Sequence, residues 1–174
     1  MIKKILLVFC LLLWGTAAQA ASGINIFAYS REAPDIAVYD NYGRAVRFSD
    51  FEGEFIIAVF WSKTCIPCLR EMKDLNSFVK KTRDNGIKVL LISSAKEWEN
   101  RPSEQEEILR KYGGEDIDHY VDKKSALANA FGIFTSPHSV LVNTQGMEIG
   151  RIRGAVDWDD NDVIDYIYKL RAAN

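Results

Sequence analysis

Cysteine and histidine are scarce in this chain, with three of the former and two of the latter among 174 residues. A zinc centre normally takes four Cys or His ligands, and these five supply only one close-spaced pair, Cys65 and Cys68. A metal site is therefore the weaker use of that pair. Proline is sparse as well, at four residues, and no interdomain linker, internal repeat or low-complexity tract is visible. Long runs of Lys or Arg are missing, and 22 basic against 24 acidic side chains leave a net charge of −2. Nothing here makes the electrostatic footprint of a nucleic-acid binder. Apolar runs of bilayer length are absent too. The stretch Ile5 to Trp14 covers ten residues, about 15 Å as a helix and about half a bilayer core.

What remains is an ordinary globular composition, 48% hydrophobic and 26% charged, of a length that fits one domain with a sizeable core. The first residues stand apart from it. Two lysines precede the apolar stretch and Ala18-Gln19-Ala20 follows it, the pattern of a signal peptide over residues 1–20 cleaved after Ala20. Left uncleaved, residues 5–18 would instead tether the chain to the outer face of a membrane. Removal leaves 20 basic against 24 acidic residues, and it also takes away Cys10. All remaining cysteine chemistry then lies in Cys65-Ile66-Pro67-Cys68, in a chain bound for an oxidising compartment. Residues 21–32 read as an N-terminal extension and residues 33–174 as the domain.

Within that domain, Phe55 to Trp61 and Ile87 to Ile92 are short apolar runs rich in β-branched and aromatic residues, as expected of buried strands. Between them Cys68, Met72, Leu75 and Val79 recur at helical spacing, and Asn85-Gly86 closes the segment. Strand, helix and strand in this order predict a right-handed crossover between parallel strands. Turn residues 40–43 between Ile36–Tyr39 and Ala45–Phe48 predict an antiparallel hairpin. Ser103 to Glu106 has the form of a capping box opening a helix that ends at Gly113-Gly114. A strand over Ile117–Val121 and a short helix over Ser125–Phe131, stopped by Gly132, follow. A second hairpin joins His138–Val142 to Met147–Arg153, and a last helix starts near Asp159 with Val163, Ile164, Ile167 and Leu170 on one stripe. The class is α/β, a central mixed sheet flanked by helices on both faces. The acidic cluster at Asp157, Asp159, Asp160 and Asp162 lacks the glycine-containing ligand pattern of a calcium loop and reads as helix capping.

The cysteine pair sits where a buried strand hands over to a helix. A thiolate at Cys65 would gain from the helix dipole and the free N–H groups of the first turn. Cys68, three residues on, lies on the same face and can attack a mixed disulfide formed at Cys65. Pro67 is tolerated in the first turn because its missing N–H has no intrahelical partner there. A structural staple is the bland alternative, but a four-residue loop restricts the unfolded chain very little. Holding Cu(I) on the two thiolates, as a non-catalytic copper chaperone or adaptor would, is an alternative of a different class.

Phe60-Trp61-Ser62-Lys63-Thr64-Cys65-Ile66-Pro67-Cys68 resembles the active-site segment of thioredoxin-like proteins, and in particular the TlpA/ResA/CcmG branch of exported thiol-disulfide reductases. Ala33-Pro34-Asp35 with the following hairpin, then Phe48 to Gly53, resembles that branch's lead-in, and Phe131 to Asn143 resembles its segment around a cis-proline. The resemblance implies a thioredoxin-like fold with an N-terminal β-hairpin extension. It makes Cys65 and Cys68 catalytic and places Trp61, Pro67, Ser136 and Pro137 around a bound substrate chain. On the residues alone Pro137 could equally be trans; the resemblance implies cis.

The departures from the family carry their own expectations. Thr64 stands where relatives often have a second Trp, Lys73 replaces a helix proline, and Val59 occupies the place of a buried acid in thioredoxin. Proton handling is thus unassigned. Glu71, in a CxxE arrangement common in the family, is the nearest carboxylate, the alternative being a solvated helix residue. His138 replaces the usual Thr after the cis-proline and either tunes the sulfur pair or points to solvent from a strand edge. The implied activity is that of a periplasmic thiol:disulfide oxidoreductase, working as a monomer on disulfide-bearing protein substrates such as apocytochrome c. Its electrons would come from a membrane thiol relay of the DsbD or CcdA kind, with no cofactor or metal. An oxidase or isomerase is the nearest rival.

Overall fold

Apolar runs without a polar face can only be central strands, and they set the layout of residues 23–174, which the computed structural model describes. The strands are β1 (Ile24–Glu32), β2 (Val38–Tyr39), β3 (Ala45–Val46), β4 (Phe55–Phe60), β5 (Ile87–Ser94), β6 (His119–Asp122), β7 (His138–Val142) and β8 (Met147–Arg153). The helices are α1 (Ile66–Thr82), α2 (Glu104–Tyr112), α3 (Ala126–Phe131) and α4 (Asn161–Ala173). All strands join one mixed sheet in the order β1-β8-β7-β4-β5-β6-β2-β3. The expected leader, residues 1–20, lies outside the described residues.

Every residue of β4 is buried. It pairs parallel with β5 and antiparallel with β7, as the βαβ and hairpin patterns require. Alternation along β4 splits the core into two layers. Phe55, Ile57 and Val59 pack with α1, α2 and α4, whereas Ile56, Ala58 and Phe60 pack with α3 and the lead-in residues Ala33, Val38 and Phe48. The stripe expected on α1 is buried and also includes Phe78, which meets Trp158 with ring centroids 5.3 Å apart. On α4, Ile164 and Ile167 are buried and Val163 and Leu170 only partly so. Gly132 ends α3 at φ +66°, a left-handed position that a side chain would strain.

Two elements differ from the sequence reading. The capping box at Ser103 does not form, because Ser103 is already helical (φ −70°, ψ −16°) and its hydroxyl bonds to Glu107 instead, at 3.2 Å. The N-terminal extension contains β1, antiparallel to β8 at the sheet edge opposite the hairpin β2–β3. Its signal is weak because Phe27 to Ser30 bulge across the step that Ile149 alone makes on β8, which breaks the period of two. Only Ile24 and Phe27 are partly buried. Gly150 lets β1 approach closely, since a Cβ there would sit 2.7 Å from the Asn25 carbonyl.

Candidate active site

The sheet's alternation fixes where the chemistry lies. β4 ends at Phe60, Trp61 N–H is held by the Ile92 carbonyl at 2.9 Å, and a turn closed by Cys65 N–H on Ser62 O (3.0 Å) delivers Cys65 to the N-cap of α1. Cys65 and Cys68 are joined as a disulfide. The Cys65 sulfur also accepts the Cys68 backbone N–H at 3.2 Å, so the first turn of α1 already directs a donor at it. Cys65 is half-buried while Cys68 is 1% exposed. One sulfur is open to attack and the other is shielded within the α1 layer. Pro67 occupies the first turn as expected, and Ile66 beside it is exposed.

The Ser136–Pro137 peptide is cis. Its loop and the loop before Cys65 border a groove of about 320 Å³ whose lining includes Trp61, Ser62, Glu97, Phe134 and Ser136. Pro137 is buried and its carbonyl accepts Gly154 N–H at 3.0 Å; Phe134, at the rim, is 83% exposed. Trp61, 3% exposed, packs on Trp98 with centroids 5.8 Å apart.

Glu71 is not a solvated helix residue. It is 6% exposed, one turn beyond Cys68, and its carboxylate accepts Val156 N–H at 2.8 Å. Burial pushes its carboxyl up to about 7, against the opposing effects of the Val156 N–H and the nearby Trp158 indole. That indole N–H favours the anion but falls short of hydrogen-bond geometry. A carboxyl raised towards neutrality is therefore placed one turn beyond the shielded cysteine on α1.

His138 does not sit where the solvent-facing alternative would put it. Rather than pointing to solvent from an edge, it is 5% exposed and opposite Phe60 in the register. Phe60 belongs to the α3 layer and Cys68 to the α1 layer, so the sheet separates the imidazole from the sulfur pair. Its Nε2 has no hydrogen-bond partner among the described residues. Burial, reinforced by Arg151 and Arg153, keeps the ring below its usual range and thus neutral.

Sequence reasoning missed the clamp on the loop before Cys65. Glu97 accepts Lys63 N–H at 2.8 Å and the Ser62 hydroxyl at 3.2 Å, and Lys63 Nζ reaches Glu104 at 2.8 Å. These partners lie 34 to 41 residues apart, beyond any local pattern. Among the described residues no cluster of three or more His, Cys, Asp or Glu could hold a metal ion, and no helix is long and apolar enough to cross a membrane.

The AhpC/TSA family model matches residues 29–167. The chain belongs to that family. Members of its thioredoxin fold among curated proteins include the thiol-disulfide oxidoreductase ResA of Bacillus thuringiensis subsp. konkukian, 24% identical over 71% of this chain and 69% of that protein. The ResA of Geobacillus thermodenitrificans is 26% identical over 76% of this chain and 74% of its own. Among solved structures, a thiol:disulfide interchange protein from a Bacteroides species superposes with a TM-score of 0.68 at 21% identity, covering 84% of this chain and 91% of that one. The fold is thioredoxin-like, as the sequence implied. With a CxxC pair at a helix N-terminus of that fold, this family member is a thiol-disulfide oxidoreductase.

Proposed function

We propose that this protein is exported to the periplasm and works there as a reductant of disulfides in other exported proteins, apocytochrome c among the candidates. The observation that carries the reading is the asymmetry of the pair, an accessible Cys65 at the N-cap of α1 and a shielded Cys68 one turn inside. In the reduced enzyme the Cys65 thiolate attacks a substrate disulfide, a mixed disulfide forms, and one substrate thiolate leaves. Cys68 loses its proton and attacks the Cys65 sulfur, closing the Cys65–Cys68 bond and expelling the second substrate thiolate. Two electrons have then passed to the substrate. Glu71 is suited to take the Cys68 proton, because its carboxyl is poised near neutrality within the same layer.

Turnover needs a reductant for the disulfide. A membrane dithiol relay of the DsbD or CcdA kind supplies it by the reverse exchange. The groove lined by Trp61 and Ser136, next to Pro137 in the chain, would hold the substrate chain, and the exposed apolar side chains of Phe134 and, beside Cys65, Ile66 would contact it. The leader pattern at residues 1–20 supports export, and the name of the relatives, thiol-disulfide oxidoreductase, supports dithiol exchange.

The deciding experiment equilibrates the mature protein against defined thiol/disulfide buffers, with Cys68→Ala as the control that cannot close the bond. A potential near about −270 mV or lower is expected; one near about −120 mV would make the protein an oxidant and overturn the direction.

A further inference from the structure

The loop between β4 and α1 is only five residues long, yet it is held from outside by a separate segment, the 3-10 turn Ala95–Trp98 that follows β5. One oxygen of Glu97 takes both the Lys63 N–H and the Ser62 hydroxyl. With its proton committed there, the Ser62 oxygen is left as an acceptor, and it takes Thr64 N–H at 3.3 Å and lies 3.1 Å from the Thr64 hydroxyl. Ser62 O in turn takes Cys65 N–H. A chain of bonds thus runs from one carboxylate to the amide of the attacking cysteine.

The lysine of this loop is bound on the side of the Ala95–Trp98 turn and α2. Its ammonium donates to the Glu97 carbonyl at 2.9 Å and to the Glu104 carboxylate at 2.8 Å, and it stands 5.2 Å above the Trp98 ring. Trp98 is fixed by Ser93 at 2.8 Å and packs on Trp61. Lys63 and Glu104 are each about a quarter exposed, 29% and 25% for their side chains, so these charges act where water screens them only in part. The ammonium pairs with the Glu104 carboxylate, which also lies 4.0 Å from Arg101, so the Glu97 carboxylate is met only by the Lys63 N–H and the Ser62 hydroxyl and brings its own negative charge to the loop.

We propose that Glu97 is a positioning residue for Cys65, which fixes the loop that presents the sulfur and holds a negative charge beside it that opposes its thiolate. The helix terminus and Glu97 pull in opposite directions. The first favours the thiolate and hence the reduced form, and the second favours the disulfide. A couple whose reduced form is less stabilised is the stronger reductant. The inference rests on dithiol exchange at Cys65 and does not depend on which way electrons flow in the cell.

The test compares three variants of the mature protein, reading the exchange equilibrium with a reference dithiol, the pH titration of Cys65 alkylation, and hydrogen exchange at the Lys63 amide. Glu97→Gln keeps a carbonyl acceptor for the loop and loses the charge. It should lower the pH at which Cys65 becomes reactive and shift the equilibrium about threefold toward the dithiol, about 15 mV. Lys63→Met keeps the stem on Trp98 and removes the cation, and should shift both readings the other way. Glu97→Ala should add faster exchange at the Lys63 amide and slower attack on a disulfide substrate. Should it fail to fold, the other two still decide. Unchanged titration and equilibrium in Glu97→Gln, or shifts of the same sign in Glu97→Gln and Lys63→Met, would overturn the proposal.

Discussion

Two glutamates of this molecule are almost equally buried and end in opposite states. Glu71, 6% exposed, lies on the cysteine helix with one backbone N–H as its hydrogen-bonded partner. Glu148, 1% exposed, lies on β8 between Arg31 at 2.7 Å and Arg151 at 2.6 Å. Burial pushes both carboxyls up. At Glu148 hydrogen bonds and charge from the two guanidiniums outweigh it and hold the group below the usual carboxylate range; at Glu71 burial wins. Burial alone does not decide the charge of a buried acid. Partners do, and the acid without a cation is the one a turn beyond the shielded cysteine.

The largest break in that contrast should come from Glu148→Gln. Arg151, whose side chain is 10% exposed and also donates to the Phe131 carbonyl at 2.8 Å, would keep its charge and lose its counter-ion. Stranding a buried charge costs about 3–5 kcal/mol, read as a drop in urea midpoint at constant m-value. Arg31→Ala should cost about 1 kcal/mol or less, because that guanidinium is 57% exposed and Arg151 still covers the carboxylate. Equal losses in the two variants would mean that β1, rather than the buried pair, anchors this edge.

Glu71→Gln sharpens the comparison from the other side. Its folded pKa of about 7 lies above its unfolded value of about 4.5. The folded state therefore holds the extra proton between these limits, and stability is full below about pH 4.5 and is lost as pH rises through about 7. A shift of this size corresponds to a loss of at most about 3.4 kcal/mol. The glutamine variant should lose that fall and keep only the smaller, opposite slope from His138 between pH 5 and pH 8. A parent protein with no slope in this window would show that Glu71 stays ionised in the fold.

Such differences mark what the sequence makes legible. The strands at 55–60 and 87–94, the helix between them and the cysteine pair are written in neighbouring residues, because apolar runs and a three-residue spacing need no distant partner. The burial of Glu71 depends on Val156, 85 residues away, and the clamp on Lys63 depends on Glu97. At position 71 a helical wheel distinguishes an apolar neighbour from a polar one, but it cannot see what packs above. β1 was hidden by its own bulge, and the failed capping box at Ser103 by a backbone that enters the helix one residue early.

His138 gives the smallest expected effect and the cleanest separation of the two sheet faces. It faces Arg151 and Arg153, with Glu148 as the opposing charge, and its buried Nε2 has no partner to share a proton. A histidine held below its unfolded value of about 6.5 binds fewer protons folded than unfolded, so stability falls as pH drops below about 6.5. His138→Thr should remove that acid-side loss, so the thermal midpoint should rise more from pH 7 to pH 5 than in the parent, where Glu71 and His138 act in opposite senses. It should leave the Cys65–Cys68 potential where it was, because the imidazole lies in the α3 layer and the shielded sulfur in the α1 layer. A variant that moved the potential by as much as tenfold in the exchange equilibrium, about 30 mV, would mean that the cis-proline loop transmits charge across the sheet. The separation of the two layers would then fail as a guide to which groups govern the sulfur.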